Sequence, residues 1–185
     1  MLELVFDDAR ERMGKAIEHT RADFATVRTG RASPVLVERL LVEAYGVEVQ
    51  MREVASFSIP EARQLLISAH DPATVPSIEK AIQNSDLGVN PSSDGRTIRL
   101  SFPPLTEERR REFVKVVRNM AEEGRISLRN TRRDARKELD GAEKDGDISS
   151  DDHARAEKEL DKLTHEHEAG IDAALADKEQ ELLEV

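Results

Sequence analysis

Cysteine is absent from this 185-residue chain, so it has no disulfide framework, no thiolate metal site and no cysteine nucleophile. Tryptophan is absent as well, and aromatic residues make up only 3% of the chain. The stacking platforms on which single-strand nucleic-acid binders rely are therefore missing. No apolar run approaches the roughly 20 residues of a membrane span. The start of the chain carries Asp7 and Asp8 where a signal peptide needs a basic region, so a soluble cytoplasmic protein is expected. The five histidines are scattered. His153 adjoins Asp152, but no ligand set of the usual spacing completes a metal site. There is no phosphate-cradling glycine-rich loop and no nucleophile elbow, and the acid pairs fall on helices expected to be exposed. An enzyme is not expected, nor is a metal or a cofactor.

What the chain has in quantity is charge: 36% of its residues are charged and the formal net charge is −10. That composition suits long solvated helices better than a compact enzyme. Apolar residues recur at Phe6, Ala9, Met13, Ile17, Phe24 and Val27, with Thr20 filling the gap. These steps of three and four predict an amphipathic helix from Leu2 to about Arg28. Gly30 suits a helix end and Pro34 forbids continuation.

From residue 31 to 104 the period shortens. Leu40 to Tyr45, Val47 to Met51, Val54 to Ile59, Gln64 to Ser68 and Thr97 to Phe102 read as strands. A helix is predicted through Pro76 to Asp86, followed by the turn-rich stretch Leu87 to Gly95. This is a small α+β domain.

The helical period then returns. Thr106 is placed to cap a second helix running to about Ala142, with the stripe Phe113, Val117, Met120, Leu128, Ala135 and Leu139. After a turn at Gly141 to Asp147, Ser149 or Ser150 caps a third helix. Its stripe is Ala156, Leu160, Leu163, Ile171, Leu175 and Leu182. Three such stripes are buried most simply against one another. The expected architecture is an α+β fold in which residues 1–30 and 105–185 form an elongated antiparallel three-helix bundle and residues 31–104 form an inserted β/α/β domain. Two linkers result, Thr29, Gly30, Arg31, Ala32 and Ser33 on one side and residues 102–105, with Pro103, Pro104 and Leu105, on the other. A double linker is expected to act as a hinge of limited freedom.

Charge separates the helices. Residues 105–140 hold 11 Lys+Arg against 8 Asp+Glu, whereas residues 141–185 hold 5 against 15. On a wheel of about 100° per residue, Arg118, Arg125, Arg129, Arg132 and Arg136 fall within roughly a 60° sector. Glu112, Glu123 and Asp134 fall on the other flank of the apolar stripe. The arginines thus do not look distributed to pair with acids of their own helix. They could instead pair with the acid-rich third helix, be merely solvated, or bind a polyanion. A stripe of arginine without lysine favours phosphate, which the planar guanidinium contacts bidentately. Without aromatic platforms, a folded RNA recognised by shape and backbone is the expected partner.

Five motifs carry a resemblance. They are Arg28-Thr29-Gly30-Arg31-Ala32-Ser33-Pro34, Ser85-Asp86-Leu87-Gly88-Val89-Asn90-Pro91, Pro103-Pro104-Leu105-Thr106-Glu107-Glu108-Arg109-Arg110, Arg129-Asn130-Thr131-Arg132-Arg133-Asp134-Ala135 and Ala174-Leu175-Ala176-Asp177-Lys178-Glu179. Together, in this order and across the whole length, the chain resembles the bacterial ribosome recycling factors. The resemblance implies an L-shaped, tRNA-sized protein whose long arm is the bundle. It implies that, after termination, the protein works with elongation factor G and GTP to split the ribosome into subunits, which initiation factor three then keeps apart. It also implies a contact between the bundle and large-subunit RNA through Arg129, Arg132 and Arg133, with Arg28, Arg31, Arg109 and Arg110 as secondary candidates. Arg118, Arg125 and Arg136 are candidates from the wheel alone. A monomer is expected. The alternative from another class is a coiled-coil chaperone or adaptor that presents its apolar stripes to clients; a closed bundle would exclude it.

Overall fold

A computed structural model describes residues 1–184. The chain forms two compact units, Met1–Arg28 with Glu107–Glu184, and Thr29–Thr106.

The first unit holds three long helices, α1 (Leu2–Thr26), α4 (Glu107–Lys144) and α5 (Ser150–Leu183). Two shorter helices, α2 (Met51–Val54) and α3 (Val75–Gln83), belong to the second unit. At 1.5 Å per residue, the 38 residues of α4 span about 57 Å. A helix of that length in water needs packing along its whole course. Its buried positions Val117, Ala121, Gly124, Leu128, Thr131, Ala135, Leu139 and Ala142 step by three and four and supply that face. Of these, Val117, Ala121, Leu128, Ala135 and Leu139 meet Phe6, Ala9, Met13 and Phe24 of α1 and Ala156, Leu160, Leu163, Ile171 and Leu182 of α5 in one core. Phe113, Met120, Ile17 and Leu175, which the sequence places in the stripes, are only partly buried at its margin. Cross-links fix the directions. Arg12 of α1 meets Asp134 of α4 while Thr20 lies against Gly124, and Arg118 of α4 meets Glu179 of α5 while Arg136 meets Glu157. Hence α4 runs antiparallel to both α1 and α5.

The turn between α4 and α5 is built from local chemistry. Gly146 has φ +78. Its N–H donates to Glu143 O at 3.1 Å and that of Asp147 to Ala142 O at 2.9 Å, a Schellman closure that only a left-handed residue permits at low cost. Ser149 Oγ then accepts from the Asp152 N–H at 3.1 Å and caps α5. The sequence places the break at Gly141, but α4 continues through it to Lys144.

The second unit carries a hairpin of β1 (Leu41–Ala44) and β2 (Val47–Gln50), and a four-stranded antiparallel sheet. The sheet contains β3 (Ala55–Glu61), β4 (Gln64–Ala69), β5 (Pro91–Asp94) and β6 (Thr97–Ser101) in the order β3-β4-β6-β5. Alternation along β4 and β6 turns Leu65, Ile67, Ala69, Ile98 and Leu100 inward, and Ile67 lies opposite Ile98. Ile78 and Ile82 of α3 (Val75–Gln83) complete that core with Met51. Two readings need correction. The strand expected to reach Met51 ends at Gln50, and Met51–Val54 forms the single-turn α2. The stretch Pro91–Asp94, read as turn, is the edge strand β5. Its Pro-Ser-Ser-Asp sequence has little strand propensity, and proline is tolerated there because Pro91 opens an edge strand.

Candidate nucleic-acid interface

The arginine flank of α4 does not face open solvent as a bare cationic stripe. It turns toward α5. Arg118 Nε meets Glu179 Oε1, and Arg125 Nη2 meets Asp172 Oδ1. Arg132 Nη2 lies 2.7 Å from Asp161 Oδ1, and Arg136 Nε lies 2.8 Å from Glu157 Oε1. Four of the five wheel arginines thus form a ladder to the acidic helix. The fifth, Arg129, pairs with Glu122 of its own helix, which also reaches Arg125 at 3.2 Å. This corrects the expectation that the arginines avoid the acids of α4, because Glu122 stands on their flank.

The other flank is laced differently. Asp134 accepts from Arg12 of α1 at 2.7 Å, and that bond holds its carboxyl below the usual range. The apolar stripe therefore runs between an arginine flank closed by α5 and a flank whose Asp134 is held by α1. The ladder is superficial. In each of its four rungs one partner keeps between 51 and 62% of its side chain exposed. Exposed pairs of this kind contribute about 0–1 kcal/mol each and are screened by salt. A phosphate that offers two acceptor oxygens to one guanidinium can therefore displace an acid of α5 at small cost.

Arg133 stands apart. It is exposed, its Nη2 donates to Asn130 Oδ1 at 2.5 Å, and it makes no ion pair among the described residues. Arg109 lies over the Phe113 ring at 5.0 Å and pairs with Glu112. Arg110 is half-buried, whereas Arg28 and Arg31 are exposed and fall in different units. Arg118, Arg125, Arg129, Arg132 and Arg136 share the ladder flank of α4, and Arg133 borders it.

The linker residues also divide. The Ala32 N–H donates to Ala62 O and the Phe102 N–H to Arg63 O, both at 2.8 Å, so each is tied to the β3–β4 turn. Ser33 caps the short turn Pro34–Leu36. Thr29, Gly30 and Arg31 and Pro103, Pro104 and Leu105 are left outside helix and strand. Gly30 adopts φ +79.

The missed partners were visible as spacing. Glu157, Asp161, Asp172 and Glu179 occupy one sector of about 60° on α5, the mirror of the arginine sector.

Comparison with known proteins agrees with this architecture. The ribosome recycling factor family profile matches residues 20–183. The ribosome-recycling factor of Thermobifida fusca is 52% identical over 185 residues, 100% of both chains. A solution structure of a ribosome recycling factor, 41% identical, superposes with a TM-score of 0.77 and covers 100% of this chain and 98% of that one. A second structure contains the T. thermophilus ribosome recycling factor and E. coli elongation factor G bound to the E. coli post-termination complex. It shows 42% identity and a TM-score of 0.66 over 99% of each chain. The chain belongs to the ribosome recycling factor family.

Proposed function

We propose that this protein recycles ribosomes: it binds the post-termination ribosome through its helical unit and, with elongation factor G hydrolysing GTP, splits it into subunits. The observation that carries this reading is full-length similarity to a ribosome recycling factor whose structure is described, with that of elongation factor G, as bound to the post-termination complex. The role is mechanical and takes place in the cytoplasm. The chain makes and breaks no covalent bond, needs no cofactor, and acts as a monomer.

The helical unit is the RNA-binding part, and α4 is its contact helix. Arg129 and Arg133, bonded only within α4, supply the first phosphate contacts, and Arg132 joins by exchanging Asp161 for phosphate. Thr29 to Arg31 and Pro103 to Leu105 serve as the two strands of a hinge on which elongation factor G moves the inserted unit. The adaptor alternative loses its basis, because its client surface would be the stripes that pack into the bundle core.

Light scattering on post-termination ribosomes tests the reading. Scattering should fall to the level of separated subunits only when this chain, elongation factor G and GTP are all present. Unchanged scattering with all three would overturn it.

A further inference from the structure

We propose that a divalent cation of the zinc class binds between α4 and α5 at Asp140, His153 and Glu157. One ligand atom from each of the three lies within 4.8 Å of the others. His153 and Glu157 are four residues apart on α5 and so share one face, while Asp140 approaches from α4 across the turn. The sequence points to Asp152 as the neighbour of His153, but Asp152 is engaged with Ser149 and Arg155. The usable acids come from fold, not adjacency.

The geometry around the imidazole fits a metal ligand. Its Nε2 lies 2.8 Å from Asp140 Oδ1, while Nδ1 faces Glu143 Oε2 at 3.7 Å. At 3.7 Å Glu143 lies beyond hydrogen-bond reach, and closing that gap would give the second ring nitrogen the carboxylate partner that orients a ligating histidine. The side chain is only 13% exposed, so the ring is held in place rather than sampling solvent. His19 and His165 differ: each is at least 77% exposed and faces one acid of its own helix.

Charge matches as well. Asp140, Glu143 and Glu157 surround the ring, and Arg136 offsets one of them through Glu157 Oε1, leaving about two negative charges for a dication. Arg136 engages Glu157 Oε1, and Glu157 offers one carboxylate oxygen to the metal. An imidazole donor favours zinc, cobalt or nickel over magnesium and calcium, which take oxygen ligands. Metal–ligand bonds of about 2.0–2.2 Å require Asp140 and His153 to separate by roughly half an ångström, within side-chain motion. Three protein ligands leave a position for water. Because Asp140 and His153 bracket the α4–α5 turn, the ion would staple the tip of the hairpin. Nothing in the recycling reading depends on it.

Titration of the full chain with Zn²⁺ by calorimetry, and with Co²⁺ followed by visible absorption, tests the proposal. One ion per chain is expected, with a melting temperature that rises to a plateau as Zn²⁺ is added. His153→Gln and Glu157→Gln should each weaken binding about tenfold or more, while His165→Gln leaves it unchanged. Circular dichroism confirms that each variant is folded. Unaltered affinity in both His153→Gln and Glu157→Gln, or equal loss in His165→Gln, would overturn the assignment.

Discussion

Gly124 of α4 faces both of the other long helices: a Cβ built there would lie 2.4 Å from Thr20 Oγ1 of α1 and 3.0 Å from Ile171 Cδ1 of α5. Thr20 cannot easily yield, since its hydroxyl donates to Ala16 O at 2.8 Å inside the core. Gly124→Ala sets about 1 kcal/mol of helix propensity against about 1–3 kcal/mol of overpacking. Overpacking should win and lower the melting temperature by a few degrees, and Thr20→Ala in the same chain should recover most of the loss. Thermal melts of the two single variants and the double variant decide it; a Gly124→Ala chain as stable as its parent would contradict the close approach. Thr20 was legible in the sequence because it fills a vacant step in an apolar stripe. Gly124 was not, although it completes the steps from Val117 through Ala121 to Leu128. Periodicity counts side chains, and here the lack of one is what the packing requires.

Between elements, the exposed ion pairs govern how the bundle responds to solvent. The Asp134 carboxyl is depressed chiefly by its hydrogen bond from Arg12, and that of Glu122 by Arg129 and then Arg125. Carboxyls depressed in the folded state contribute stability that is fully present above their unfolded values near 4, and that is lost as pH falls through the lower folded values. The melting temperature should therefore be flat from pH 7 to about 5 and drop below about 4. Asp134→Asn should make that drop shallower, and 1 M salt should shrink it in the parent. Equal acid slopes in parent and variant would show that the Arg12 pair does not contribute. At this scale the helices were legible almost to their ends, because α1, α4 and α5 announce themselves by period and by caps such as Ser149. The pairing of α4 with α5 was half legible: the arginine sector stood out in an acidic chain, while the matching acids were hidden among 15 in residues 141–185. The strand β5 was illegible, since its partner β6 and not its own residues puts it in the sheet.

Across the whole molecule, five arginines on one flank of α4 are matched by five acids, Glu122, Glu157, Asp161, Asp172 and Glu179. The chain can thus array guanidiniums along one helix while remaining acidic overall. RNA binding on this account is an exchange of carboxylate for phosphate, so its cost is set by α5 as much as by α4. Cosedimentation with purified ribosomes over a salt series tests this most directly. Affinity should fall steeply with salt, Arg133→Ala should lower the logarithmic slope by about one, and Arg132→Ala should weaken binding with little change in melting temperature. Asp161→Asn should bind at least as tightly as the parent, because it removes the competitor for Arg132. Parental affinity in Arg132→Ala and Arg133→Ala, with a lowered melting temperature in Arg132→Ala, would contradict the account and leave the ladder a purely structural feature.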